Sequence, residues 1–409
     1  MTGVNRTVGS VWSRPGYRRL WLARTASQWG DTFNTVALAL LVLRLTGSGL
    51  GVSGVVVAEI LPVLLLAPVA GTVVDRLPRV RVMIAADVLR MGLAAALPLA
   101  AGHIAAVYTL AFGLAAAAVF FNPAASSVLP ALVDDEQLVA ANSGIWTAAV
   151  VSQIVLAPLA GLLVTWAGFS PAFLINAASF AVSALVLAGL RLPHAAPPTR
   201  RRGWLADARA GLAQLVRHRL LRTLAAGQLL AALSAGATSA LLVVYARRQL
   251  HLDGRGYGLM LAAIGVGAAA GPLLLSRIRS PRRAAFVFGP YLLRAAVDSI
   301  LAATRTPAVA LASLVGYGIG TSTGAVTFNS LLQATTPEQI RGRLFASFDL
   351  LWQLGRLASL ILGGLLADIL GIQAVYYTGA VLLTVAAVVG WTGLHHRRTD
   401  QDVQATNGR

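Results

Sequence analysis

Asp31, Glu59 and Arg356 are charged residues set deep inside long apolar runs of a 409-residue chain. A charge at that depth in hydrocarbon costs several kcal/mol unless it faces water, finds a partner or is neutralised, so each is a candidate for function. Asp31 lies about 18 Å along the first run, at 1.5 Å per helical residue. Burial favours the protonated carboxyl and a nearby arginine the ionised one, so alternating surroundings would load and unload a proton there. The other reading of Asp31 is a fixed hydrogen bond between helices. Glu59 lies deep in the second run, and Pro62, three residues on, can open the backbone hydrogen bonding beside it. It is either a second proton carrier or a carboxylate that tunes the charge of a cavity. Arg356 sits about 20 Å into the eleventh run, where it could meet an acidic substrate or pair with Asp31 or Glu59.

Neutral polar and aromatic side chains lie at similar depths: Gln28, Trp29, Gln153, Gln228, Asn329, Gln333 and Gln353. They suit a cavity for an amphiphilic small molecule, although several of them would serve as ordinary interhelical contacts. Asp87 and Arg90 are three residues apart and Arg294 and Asp298 four, spacings that put each pair on one helix face as a structural ion pair. Gly316, Gly320 and Gly324 recur every fourth residue, which allows close helix packing or local flexing.

What is missing narrows the chemistry. Every basic residue is Arg, and Cys is absent. Without Lys there is no phosphate-binding loop for ATP and no Schiff base. Without Cys there is no disulfide, thiolate nucleophile or Cys-held metal. The six histidines (His103, His194, His218, His251, His395 and His396) fall in expected loops or the tail. No cofactor, no metal site and no enzymatic activity are therefore expected.

The elements that position these residues follow from composition. Hydrophobic residues make up 57% and charged ones 12% of the chain, with a formal net charge of +18. That is too apolar for a soluble domain of this size, so the solvent for most of the chain is a lipid bilayer. In a soluble protein the charge would suggest nucleic acid, but here the arginines are scattered through short loops. Turn residues and charges divide the chain into twelve apolar spans, near 18–45, 51–74, 80–101, 104–128, 138–166, 170–192, 221–246, 256–276, 284–303, 307–333, 343–370 and 372–394. Each is long enough to cross a hydrocarbon core about 30 Å thick. With the amino terminus in the cytoplasm, most arginines fall on that side; Arg44, Arg247, Arg248, Arg255 and Arg305 fall on the other, as the positive-inside rule requires. Arg6, Arg14, Arg18 and Arg19 come before a long apolar run with no small-residue cleavage site after a short hydrophobic core, so the first span is expected to be retained.

A basic connection divides the chain into an N-terminal six-helix half (1–192), a central cytoplasmic linker (193–220), a C-terminal six-helix half (221–394) and a cytoplasmic tail (395–409). The halves echo each other. GLLVTWAG from Gly161 matches GLLADILG from Gly364, and Gly271 to Arg283 occupies the place that Gly71 to Arg81 occupies in the first half. Two parallel repeats imply a substrate site near the midplane between them.

The segment GTVVDRLPRVR joins the second and third spans. Gly71, Asp75, Arg76, Arg79 and Arg81 match the loop motif of the major facilitator superfamily, with Pro78 where that motif has its second glycine. Together with twelve spans and a central linker, the sequence resembles that superfamily over its whole length. QWGD at Gln28 to Asp31, DVLR at Asp87 to Arg90, FFNPAASSVLPALV from Phe120 and TPEQIRGR from Thr336 resemble the branch that holds the enterobactin exporter and macrolide efflux pumps. The fifth-span motif of proton-linked drug antiporters is present only as APLAGLL from Ala157, without its first glycine.

The resemblance implies an all-α fold in a cell membrane, with both termini cytoplasmic. It implies a monomeric secondary transporter that exports hydrophobic or amphiphilic molecules against inward proton flow, with Asp75 and its neighbouring arginines forming a cytoplasmic gate. Narrow export of a siderophore or metabolite, uptake of a nutrient, and a membrane scaffold without transport are the other readings.

Overall fold

The computed structural model describes residues 11–192, 218–277, 284–336 and 338–407. Among them there is no strand. Twelve long helices run in chain order: α1 (Pro15–Thr46), α2 (Gly49–Arg76), α3 (Arg79–Ala100), α4 (Ile104–Val128), α5 (Leu138–Ala167), α6 (Ser170–Ala188), α7 (Arg219–Ala240), α8 (Gly254–Ser276), α9 (Ala284–Ala303), α10 (Pro307–Thr335), α11 (Glu338–Ile369) and α12 (Ile372–Asn407). They follow the expected spans closely. The main differences are α11, which begins five residues earlier, and α12, which runs on through residues expected to form a separate tail. The linker expected over 193–220 lies outside the described residues except for its last three.

Local chemistry sets the helix ends. Proline stands at the start of α1, α6 and α10, where its missing N–H is not needed. Gly47, Gly168 and Gly371 take positive φ values of 61°, 80° and 89° just beyond α1, α5 and α11, a conformation that favours glycine. Ten of the described helices, all but α1 and α9, are long and apolar enough to cross a membrane. Many apolar side chains point outward, Leu99 at 87% and Trp166 at 82% exposure. A bilayer makes such faces favourable where water would not.

The helices pack as two compact units. One comprises Met1–Gly47, Gly54–Arg200 and His251–Ala262; the other comprises Ser48–Ser53, Arg201–Leu250 and Ala263–Arg409. Two helices are thereby divided: α2 gives its first turn to the second unit, and α8 gives its first part to the first unit. The core of the first unit gathers Tyr17, Leu20, Met83, Phe121, Val128 and Leu187. In the second, Leu224, Phe288, Leu332 and Phe348 pack together, with Phe328 edge-on to Phe348 at 5.2 Å.

α7 departs from the continuous span expected over 221–246. It ends at Ala240, and a short helix, Leu242–Arg248, follows. About one turn before that end, a hydroxyl from α11 enters the α7 backbone. Ser359 of α11 accepts from the N–H of Ala237 at 2.9 Å and donates to the carbonyl of Leu233 at 2.5 Å, which ties α11 to the backbone of α7. Gly236 admits it, since a Cβ there would lie 2.6 Å from Cβ of Ser359.

Candidate substrate and coupling site

Within the first unit, α1 and α5 enclose a pocket of about 750 Å³. Trp12, Trp21 and Trp29 form its aromatic wall. α5 lines the other side with small and aliphatic residues, among them Ser143, Gly144, Thr147 and Val151, and Glu136 is the one acid in the lining. The wall is fixed from behind: the indole N–H of Trp21 donates to the carbonyl of Gly144 at 3.1 Å, and the Tyr17 hydroxyl to that of Ala141 at 3.1 Å. Trp12 stacks edge-on against Tyr17 and Trp21, with centroids 5.4 and 4.9 Å away. With the Trp21 N–H so engaged, that ring turns apolar surface toward the cavity, suited to an aromatic or aliphatic body. Of the expected cavity residues, Trp29 lines this pocket. Trp12, Trp21 and Thr25 were not anticipated. Trp21, Thr25 and Trp29 recur every fourth residue along α1, which is a signal in the sequence, whereas Trp12 precedes the helix in a segment that reads as a charged terminus.

Asp31 falls midway along α1, half-buried. Its neighbour Gly30 packs against α6 so closely that a Cβ would lie 2.6 Å from Oδ1 of Asn176. The charged groups that act on Asp31 are Arg90 and Asp87 of α3. These two form a salt bridge of 2.5 Å with both side chains buried. Ser183 of α6 donates to the other oxygen of Asp87 at 2.6 Å. The guanidinium of Arg90 lies between the rings of Phe121 and Phe180, 4.6 and 4.2 Å from their centroids. The pair thus joins α3, α4 and α6. Asn34 and Asn176 add buried polar atoms without hydrogen bonds in the same unit.

The second pair is arranged differently. Nε and one terminal nitrogen of Arg294 and Oδ1 of Asp298 lack hydrogen bonds. Arg294 lies 4.1 Å over the ring of Tyr317, and Asp298 accepts from Ser234 at 3.4 Å. Here the cation precedes the acid along the helix, the less favourable order for a direct intrahelical pair.

The remaining candidates are dispersed. Glu59 of α2 is half-buried and acts electrostatically on Tyr257 of α8. Gln153 donates to the carbonyl of Leu261 at 3.4 Å, and Gln228 accepts from Tyr291 at 3.2 Å, so both bond between helices. Arg356 donates to Gln353 at 3.4 Å and is the charged neighbour of Asp349. Gln28, Asn329 and Gln333 are exposed. The glycine stripe of α10 packs on α9: a Cβ at Gly320 would lie 2.8 Å from Cγ of Arg294, and one at Gly324 3.3 Å from Pro290.

Gly71 to Arg81 is mostly helical rather than a loop. α2 continues through Gly71, Asp75 and Arg76, and α3 begins at Arg79, leaving only Leu77 and Pro78 between them. Asp75, Arg76 and Arg81 are exposed. Arg79 donates to the carbonyl of Ser127 at 3.1 Å, tying α3 to the end of α4.

Twelve long helices, two compact units and charged residues set within apolar helices define a multi-pass membrane transporter of the major facilitator fold. A family model described as transmembrane secretion effector matches residues 10–408, and the chain belongs to that family, in a drug-exporter branch of the superfamily. It is 30% identical over 385 residues to the multidrug efflux pump Tap of Mycolicibacterium fortuitum, covering 90% of this chain and 93% of that one. It is 26% identical over 407 residues to the MFS-type transporter YfiS of Bacillus subtilis (strain 168), covering 93% and 94%. Among solved structures, a bacterial homologue of the iron transporter ferroportin in an inward-facing state has a TM-score of 0.76 at 18% identity, covering 92% of this chain and 98% of that one.

Proposed function

We propose that this transporter exports hydrophobic and amphiphilic small molecules from the cell, as a monomer, by alternating access driven by inward proton flow. The pocket between α1 and α5 carries the reading. An aromatic wall faced by small side chains accepts many shapes and discriminates weakly between them. The 30% identity to the efflux pump Tap supports the direction of transport.

Asp31 is the proposed proton carrier. It is midway along a helix that also lines the pocket, so its protonation and the pocket's shape are coupled through one element. Glu59 is the second candidate. Gln28, Gln353 and Arg356 are proposed polar anchors of the transport path, and Gly71 to Arg81 its cytoplasmic gate. In this reading both termini and the 193–220 connection are cytoplasmic, and the halves 1–192 and 221–394 exchange access across the cell membrane.

The test is growth of an efflux-deficient bacterium expressing the chain, against a panel of toxic amphiphiles. Raised tolerance to several unrelated compounds is expected, and its loss on Trp21→Ala or Trp29→Ala with unchanged membrane expression. Unchanged tolerance throughout the panel overturns broad export.

A further inference from the structure

We propose that Asp368, at the end of α11, is a releasable latch on the first turn of α2 that lets go in each transport cycle. The inference rests on the alternating-access reading above. The backbone N–H groups of Gly49 and Leu50 donate to Asp368 at 2.7 and 2.9 Å, and the hydroxyl of Ser48 donates at 2.9 Å. Ser48 in turn accepts from the N–H of Gly51 at 2.9 Å. The first free N–H groups of α2 are therefore satisfied largely by a carboxylate some 320 residues away in sequence. That carboxylate also meets the positive end of the helix dipole. Arg248 approaches the same carboxylate at 3.3 Å.

The backbone around the cap is built for contact. A Cβ at Gly364 would lie 2.8 Å from Oγ of Ser53 and 2.9 Å from Cα of Leu50, and one at Gly49 would lie 2.9 Å from Cβ of Ala367. Only glycine lets the two helices approach this closely. Ser48–Ser53 packs with the second unit, whereas α2 from Gly54 onward packs with the first. Any movement of one unit against the other must therefore release the cap or bend α2 beside Gly54.

The repeated sequence shows that the charge is a specific addition. Gly161 in GLLVTWAG seats α8 as Gly364 in GLLADILG seats α2: a Cβ at Gly254 would lie 2.8 Å from the carbonyl of Gly161. At the fifth place of the run, however, stands Thr165, whose hydroxyl donates to Gly161 of its own helix at 2.8 Å. α8 is capped locally, Asp253 accepting from the N–H of Gly256 at 2.9 Å. A local cap survives separation of the helices; a cap from α11 does not. The contact of Gly161 with Gly254 is a backbone approach, whereas that of α11 with α2 adds a charge-assisted clasp, which is stronger than a neutral one. Arg248 is a lesser part, since half-exposed ion pairs contribute little.

The absence of native Cys makes the test direct. Ser53 is 1% exposed and its hydroxyl has no hydrogen bond, so Ser53→Cys is a quiet reporter. Its labelling by a membrane-impermeant maleimide is measured in intact and permeabilised cells. Asp368→Asn should raise the rate about tenfold or more, which corresponds to about 1.4 kcal/mol, and Arg248→Gln should raise it less. Equal rates in parent and Asp368→Asn, or no labelling in any variant, overturn the latch. Labelling that needs permeabilisation overturns the proposed topology instead, while the ratio between variants still tests the cap. Should Asp368→Asn fail to insert, Ser48→Ala decides, since it removes one donor to the carboxylate and should also raise the labelling rate. Labelling of Ser48→Ala at the parental rate overturns the latch.

Discussion

The buried charges of α3 set the clearest expectations at the scale of single residues. Arg90 is held by Asp87 and two aromatic rings, so Arg90→Met leaves Asp87 buried and unpaired. Removing one partner of a buried pair typically costs about 3 to 5 kcal/mol. Thermal unfolding in detergent should show a large loss for Arg90→Met and partial recovery in the double variant with Asp87→Asn. Asp31→Asn keeps size and hydrogen-bonding capacity but removes the titratable proton. It should abolish uphill export while leaving ligand binding near the parental affinity, measured by fluorescence titration. Asp31, Asp87 and Arg90 were all visible in the sequence, because charge in an apolar run stands out at once. Their shared neighbourhood was not: α3 was expected to hold a separate structural pair, and only the packing of α1, α3 and α6 brings Arg90 and Asp87 to act on Asp31.

Helix packing by glycine makes predictions at the scale of elements. A Cβ at Gly267 would lie 2.0 Å from the carbonyl of Val315, a backbone atom that cannot turn aside. Gly267→Ala should therefore sharply lower the yield of folded protein on size-exclusion chromatography. A Cβ at Gly71 would meet nothing within 4 Å, so Gly71→Ala should insert and fold like the parent although Gly71 opens the loop motif. Element bounds were legible nearly throughout, since apolar length, flanking arginine and turn residues all mark the same boundaries; α4 begins and ends where expected. The break in α7 was not legible. No Gly or Pro stands between Ala240 and Leu242 to announce it, and the contact of Ser359 with the α7 backbone beside Gly236 comes from more than a hundred residues away. The indole wall was partly legible, Trp29 by its depth, while Trp12 and Trp21 needed the fold to bring α5 opposite them.

For the whole molecule, the proposed topology predicts that single introduced cysteines at both termini and in the 193–220 connection react only from the cytoplasmic side, and those beside Arg247 and Arg305 only from outside. The repeat was readable as matched runs around Gly161 and Gly364, and both glycines prove to seat a helix. The same matching could not reveal that α2 and α8 are each divided between the two units, because that division depends on which neighbours a helix finds along its length. The central claim is that this chain moves amphiphilic molecules uphill at the expense of a proton gradient, through Asp31. Purified protein in sealed proteoliposomes, given an imposed pH gradient and a panel of fluorescent amphiphilic dyes, tests it most directly. The parent should concentrate at least one dye against its gradient and lose that ability on addition of an uncoupler, while Asp31→Asn should only equilibrate it. Dye distribution that ignores the pH gradient in the parent, or uphill movement by Asp31→Asn at the parental rate, would contradict the account.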